Sequence, residues 1–400
     1  MTITMLVRDD PALRRLLTVT AVDTVGRGAF FTLTSLYLIG IVGLPAVTVG
    51  LGLTVAGGVG VLSSLGFGHL ADRWSSRRLL VALHVVQGAA LTAYVLVRDL
   101  PTLIVVASLV VLAQQGGASV RSAAIGRAFP GEDRVRVRAL MRTVTNAGIA
   151  AGTACAAIPL AIGTAGAYRV TMVAAGALFL SSAVLLLGLP GERVDARPGP
   201  RAVAGPGASG PYRDTKFLIL TVLHGIFGMQ FGLFEIAVPL WVVHHTAAPD
   251  VLVSPLLLLN TGLVIALQVR LSRGTSDLRG AARVMTWAGW LMALACLLWA
   301  VAGELPGFVA VLVLLAAAAA HTLAEITSSA ASWTISFELA PADAIGAYQG
   351  VYGTGFALGA MAAPVVVTAT AIDLGAPGWG LLGAMFLAAA LATRFVIVRG

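Results

Sequence analysis

The chain has 400 residues, 58% of them hydrophobic and only 11% charged, with a mean hydropathy of +0.92. A soluble domain is about half apolar and about a quarter charged, so this composition excludes a soluble fold and suits side chains that face lipid. The formal net charge of +8 invites a nucleic-acid partner, but the placement of the basic residues argues against one.

In chain order, apolar runs predict twelve membrane-spanning helices over 16–39, 46–67, 78–97, 102–124, 140–163, 168–189, 217–243, 251–271, 281–302, 306–337, 345–370 and 376–397. Runs of roughly 20 residues match a hydrocarbon core about 30 Å thick. The expected fold class is therefore an all-α polytopic membrane protein. A β-barrel would alternate polar and apolar residues in segments of about ten, and these runs do not alternate. The first run is too long for the apolar core of a cleaved signal peptide, and more spans follow it. Cys155 and Cys296 both fall inside apolar runs, where they read as small core residues rather than a disulfide or a metal site.

With the N-terminus in the cytoplasm, 22 of the 26 basic residues fall on the cytoplasmic side. Arg98 and Arg169 fall outside, and Arg27 and Arg121 fall within spans. The basic excess thus reports topology, and an even number of spans puts both termini in the cytoplasm. Between spans 6 and 7 lies GERVDARPGPRAVAGPGASGPYRDTK, a Gly/Pro-rich stretch that reads as a linker. The expected organisation is an N-terminal six-helix half over 1–190, a cytoplasmic linker over 191–216 and a C-terminal six-helix half over 217–400. Six plus six around a linker is the plan of a transporter built from repeats. The single lysine, Lys216, lacks the glycines of a phosphate-binding loop. HxxxE at 321–325 lacks the second histidine of a zinc motif. With no catalytic triad or nucleophile motif, neither an enzyme nor a cofactor is expected, and an ion gradient is the energy source left.

Charged groups inside the spans are few: Asp23 and Arg27 on span 1, Arg121 on span 4, Glu235 on span 7 and Glu325 on span 10, beside His321. Each costs about 2.5–3.5 kcal/mol in mid-membrane, so chance placement is disfavoured. Spans 1, 4, 7 and 10 open four successive three-span units, and repeat symmetry would set these charges around one aqueous chamber. Asp23–Arg27 and His321–Glu325 are spaced i,i+4, so each pair shares a helix face. A carboxylate in a low-dielectric site holds its proton more tightly, and a nearby arginine loosens it, which is the physics of proton-coupled exchange. Asp23, Glu325 and Glu235 are the candidate proton carriers, with Arg27, Arg121 and His321 as their charge partners. Blander readings stay open: Asp23–Arg27 also fits a static pair, Glu235 also fits a residue facing external water, and Arg121 also fits a snorkelling side chain. Gln114, Asn146, Gln230, Phe234, Asn260, Tyr348 and Tyr352 are candidates for the wall of a substrate cavity.

GHLADRWSSRR, residues 68–78, packs four charges into the turn between spans 2 and 3. It resembles the loop signature of the major facilitator superfamily, G-x-L-a-D-r-x-G-r-r, through Gly68, Leu70, Asp72, Arg73 and Arg77, with Ser75 and Ser76 departing from it. The resemblance implies a twelve-helix fold in two halves. It also implies a gate latch at Gly68, Asp72, Arg73 and Arg77, in which Asp72 engages the first turn of span 11 near Ile345–Ala347. Arg127 or Arg142 would be its basic partner. An acid on span 1 with Arg121 on span 4 is similar to drug/proton antiporters of the superfamily. The span-5 stretch RTVTNAGIAAGTACAAIP keeps Gly148 and Gly152 of the antiporter signature but lacks its Gly-Pro pair. The expectation is a proton-coupled exporter of lipophilic or cationic small molecules, working by alternating access as a monomer in the plasma membrane. A proton-coupled uptake permease and a non-transporting sensor are the alternatives. Small-molecule substrate, protons and the lipid bilayer are its expected partners, and nucleic acid is not.

Overall fold

The computed structural model describes residues 10–399 except 130, 132, 192–209, 273–274 and 276. Most of the predicted linker, and Arg193, Arg197 and Arg201 within it, therefore lies outside the described residues. Among those described there are 12 helices long and apolar enough to cross a membrane and no strand. They are α1 Pro11–Ile41, α2 Val47–Arg73, α3 Ser76–Leu96, α4 Leu100–Ala128, α5 Asp133–Ile162 and α6 Ala165–Leu187. The second set is α7 Thr215–His245, α8 Asp250–Leu271, α9 Leu278–Ala302, α10 Gly307–Glu338, α11 Ile345–Ile372 and α12 Ala376–Arg399.

The helices start where the chain supplies caps. Asp10 accepts from the Ala12 and Leu13 amides ahead of α1, with Pro11 at the first helical position, where a missing N–H costs nothing. Asp99 and Thr102 close a reciprocal capping box on α4. Asp214, Asp277 and Ser75 cap α7, α9 and α3. Where the sequence predicts that span 5 begins at 140, the helix begins at Asp133. Hydropathy marks the edge of the lipid, whereas helix hydrogen bonding continues through Arg134, Arg136 and Arg138. In α7 a π-helical turn spans Leu233–Ala237. Pro239 follows it at a position where its ring crowds the carbonyl of Glu235. The extra residue relieves that clash.

The chain divides into two compact units: Met1–Pro130 with Met141–Gly207 and Pro341–Gly350, and Gly131–Leu140 with Ala208–Ala340 and Val351–Gly400. The halves expected from the linker thus each carry a short segment of the other, the start of α5 in unit 2 and the start of α11 in unit 1. Within unit 1, α2 and α3 pack on α4, and α6 packs on α1 and α3. Within unit 2 the pattern recurs six helices on: α8 and α9 on α10, and α12 on α7 and α9. Both units use glycine to bring helix backbones together. A side chain at Gly152 of α5 would strike the Val25 carbonyl of α1, and one at Gly359 of α11 would strike the Gly225 carbonyl of α7. Phe30, Tyr37, Tyr94, Leu103, Met172 and Phe179 form an apolar core in unit 1. In unit 2 the rings of Trp241, Trp299 and Trp379 pack together, and the Trp241 indole donates to the Trp299 carbonyl at 2.8 Å.

Candidate functional site

In unit 1, α1 and α3 bring Asp23 against His84. Asp23 is 4% exposed and His84 3%, and His84 Nε2 lies 2.9 Å from Asp23 Oδ2. The other ring nitrogen is 2.7 Å from the Leu80 carbonyl one helical turn back. Helix α4 adds Arg121, whose Nη2 stands 4.0 Å from the same carboxylate oxygen. Arg27 is half-buried, and its Nε makes no hydrogen bond. The i,i+4 pairing of Asp23 with Arg27 gives way to a cross-helix contact with His84. The ring reaches the carboxylate at bonding distance, and Arg121 repels a second guanidinium there.

His84 is the residue that sequence reasoning missed. Its signal was a lone histidine in RRLLVALHVVQGAALTA, an otherwise uncharged run beyond Arg78.

Also in unit 1, at the arginine-rich end, Asp72 Oδ1 accepts from the Gly346 amide and Oδ2 from the Ala347 amide, both at 2.7 Å. The first turn of a helix has free N–H groups and a positive dipole end, so an anion is stabilised there. Of the two candidate partners, Arg127 makes the contact, with Nη2 2.6 Å from Asp72 Oδ1 and Nη1 2.9 Å from Ser76 Oγ. Gly68 lets α2 approach α11, because a Cβ there would press on the Gly346 carbonyl and on Gly350. Arg77 donates to the Leu189 carbonyl at 3.4 Å, and Arg73 is exposed.

In unit 2, Glu325 is 5% exposed, and its Oε2 accepts from Asn260 Nδ2 at 2.8 Å. The same amide donates to Thr322 Oγ1 at 3.0 Å. Gln230 donates to Ser328 Oγ at 3.2 Å, leaving its buried Oε1 without a partner. His321 is fully buried, with its ring edge-on to Phe234 at 4.8 Å between centroids. Glu235 is exposed and lies in the π turn. The two unit-2 acids thus differ, one enclosed and one open.

The predicted cavity residues separate by environment. Gln114, Asn146 and Asn260 are half-buried, whereas Gln230, Phe234, Tyr348 and Tyr352 are buried among protein groups. Tyr352 stacks flat on His224, with 4.2 Å between centroids. Tyr348 lies in the α11 segment that belongs to unit 1. At the start of α5, in unit 2, the Arg138 guanidinium lies 5.6 Å over the Trp333 ring and 5.5 Å over Phe337, and Arg134 lies 5.7 Å over Phe337.

A multi-pass helical membrane protein with a repeated packing plan and polar groups bonded to one another in mid-span has the plan of a membrane transporter built from repeats. Solved structures share the fold. The human organic anion transporter MFSD10 (TETRAN) superposes with a TM-score of 0.72 at 14% identity, over 97% of this chain and 100% of that one. A bacterial homologue of the iron transporter ferroportin, in an outward-facing state, gives 0.71 at 13% identity over 98% and 99%. The proton:xylose symporter XylE, bound to 6-bromo-6-deoxy-D-glucose, gives 0.68 at 13% identity over 95% and 94%. No curated protein sequence matches the chain. The family model described as Major Facilitator Superfamily matches residues 16–364. The chain belongs to the major facilitator superfamily and is a secondary transporter.

Proposed function

We propose that this transporter is a proton-coupled exporter of lipophilic or cationic small molecules. It works by alternating access, as a monomer in the plasma membrane with both termini in the cytoplasm. The observation that carries the reading is the unit-1 cluster. A carboxylate, an imidazole and a guanidinium meet in mid-span, with the carboxylate 2.9 Å from the ring and 4.0 Å from Arg121. Such a cluster binds and releases a proton at little cost in net charge, because Arg121 remains to match the carboxylate when the proton goes. Asp23 is the first proton carrier, and Glu325 the second, held by a neutral amide that tolerates either protonation state. Glu235, open and on a π turn, would receive the positive charge of a substrate. Gly68, Asp72, Arg73 and Arg77 form the cytoplasmic latch, with Arg127 as its cation.

Proton-coupled uptake is the second reading, favoured by the absence of a Gly-Pro pair in α5. Everted vesicles carrying an imposed pH gradient test both. Export predicts that tetraphenylphosphonium or ethidium collapses the gradient and accumulates inside, and that Asp23→Asn abolishes this. Solute moving in the direction of the proton establishes uptake. Binding of these cations, benzoate or xylose without any flux would overturn both readings and leave a sensor.

A further inference from the structure

The contacts of His84 fix a proton count. Its Nδ1 faces the Leu80 carbonyl at 2.7 Å, and a carbonyl oxygen only accepts, so Nδ1 carries a hydrogen. Nε2 and Asp23 Oδ2, 2.9 Å apart, then need one hydrogen between them. Either the ring is an imidazolium beside a carboxylate, or a neutral ring accepts from a protonated Asp23. Remove that hydrogen and two sets of lone pairs face each other at bonding distance in a buried site. The opposite tautomer does not help, since it turns a lone pair on the Leu80 carbonyl.

The surroundings make such a pair responsive rather than inert. Asp23 Oδ1 is buried and makes no hydrogen bond. Helix α4 presents Arg121, and α1 presents Arg27 one turn beyond Asp23. Helix α6 presents Phe179, 6.1 Å from the His84 ring between centroids, and α5 presents Gly148 against Thr24. Arg121 is therefore the cation closest to the pair, 4.0 Å from Asp23 Oδ2, with Arg27 one helical turn along α1.

We propose that His84 and Asp23 form one proton-binding unit, loaded in this geometry, with the imidazole as the second bearer of the coupling proton. The inference rests on the proton-coupled reading above and adds a residue to it. Loading brings one proton from water to Nε2 or Oδ2, and the pair is then neutral overall. Release returns that proton to water, Nδ1–H stays on the Leu80 carbonyl, and the pair carries one negative charge. The ring–carboxylate contact then parts, because neither atom has a hydrogen to give.

The test is a pH titration of the full-length protein in lipid nanodiscs. Infrared spectroscopy would read the carboxyl band that Asp23→Asn removes, and nitrogen-15 NMR the ring that His84→Gln removes. Carboxyl and ring should report one shared proton. His84→Gln and His84→Asn, which both keep an N–H donor at the site, should move the Asp23 midpoint by at least about one pH unit, tenfold in proton affinity. An Asp23 midpoint unchanged in both variants overturns the proposal. So does a His84 ring that stays doubly protonated through the pH range that drives flux, since that is a static ion pair. If the midpoint is unchanged while Asp23→Asn still abolishes pH-driven flux, the shared unit falls and the exporter reading stands. If the titration is shared but no pH-driven flux exists, the unit stands and the exporter reading falls.

Discussion

The two units solve the same packing problem and load it with different chemistry. Each packs its first helix on its last, and each crosses α1–α5 or α7–α11 through glycine. In unit 1 the enclosed acid meets a histidine, with an arginine 4.0 Å off; in unit 2 it accepts from the neutral amide of Asn260. The borrowed segments differ in the same way. The start of α11 is held by an anion, Asp72, on two backbone N–H groups, and the start of α5 by arginines over aromatic rings. A shared skeleton thus leaves the electrostatics of each unit free to specialise: unit 1 sets its enclosed acid against an imidazole and a guanidinium, and unit 2 sets its own against the amide of Asn260.

The skeleton is the first thing to break. Gly152→Val and Gly359→Val each drive a branched side chain into a facing carbonyl and should cost about 3 kcal/mol or more. Both should show as loss of monodisperse protein on size exclusion. If only one is sensitive, the crossings are not equivalent.

Next is the charge asymmetry. Asp23→Ala leaves the buried His84 ring and the half-buried Arg121 without their carboxylate and should cost about 3 kcal/mol. Glu325→Ala gives up, among its contacts, the hydrogen bond from the neutral Asn260 amide, which is worth about 1–2 kcal/mol. Thermal unfolding of both variants in one detergent reads the difference directly, and equal losses would erase the distinction between the units.

The borrowed segments separate by a smaller margin. Arg127→Ala removes two charge-assisted bonds, one of them to Asp72, and should destabilise by about 3 kcal/mol. Arg138→Ala gives up two ring contacts, worth about 1–2 kcal/mol together. The same melting experiment ranks them.

The smallest effect lies outside the spans. The Thr102 hydroxyl, and after it the Thr102 backbone, hold the Asp99 carboxyl below its ordinary value of 3.8. A depressed carboxylate lends stability that is complete above that ordinary value and fades as pH falls through the depressed one. Asp99→Asn, still able to cap α4, should flatten the acid side of a plot of Tm against pH and leave the neutral side unchanged.

Much of the molecule was legible from the chain alone. Apolar runs of membrane length located the twelve helices, because a backbone in hydrocarbon must satisfy its own hydrogen bonds. The insertion cost of Asp23, Arg121 and Glu325 marked them as residues kept for a reason. Legibility failed at partners. His84 carried no cost that singled it out, since a neutral imidazole tolerates an apolar run, and only the approach of α3 to α1 gave it a carboxylate. Tyr348 and Tyr352, alike by composition and one turn apart, ended in different units. Arg127 and Arg142 were equivalent as bases until α4 set one of them 2.6 Å from Asp72.

The sequence by itself determined that this protein crosses a membrane twelve times, which ends of its helices collect arginine, and which buried charges needed explaining. Those properties accumulate residue by residue along one helix at a time. The tertiary structure alone decided which charge meets which, because electrostatic and hydrogen-bond energies fall steeply with distance and depend on side chains brought together from far apart in the chain.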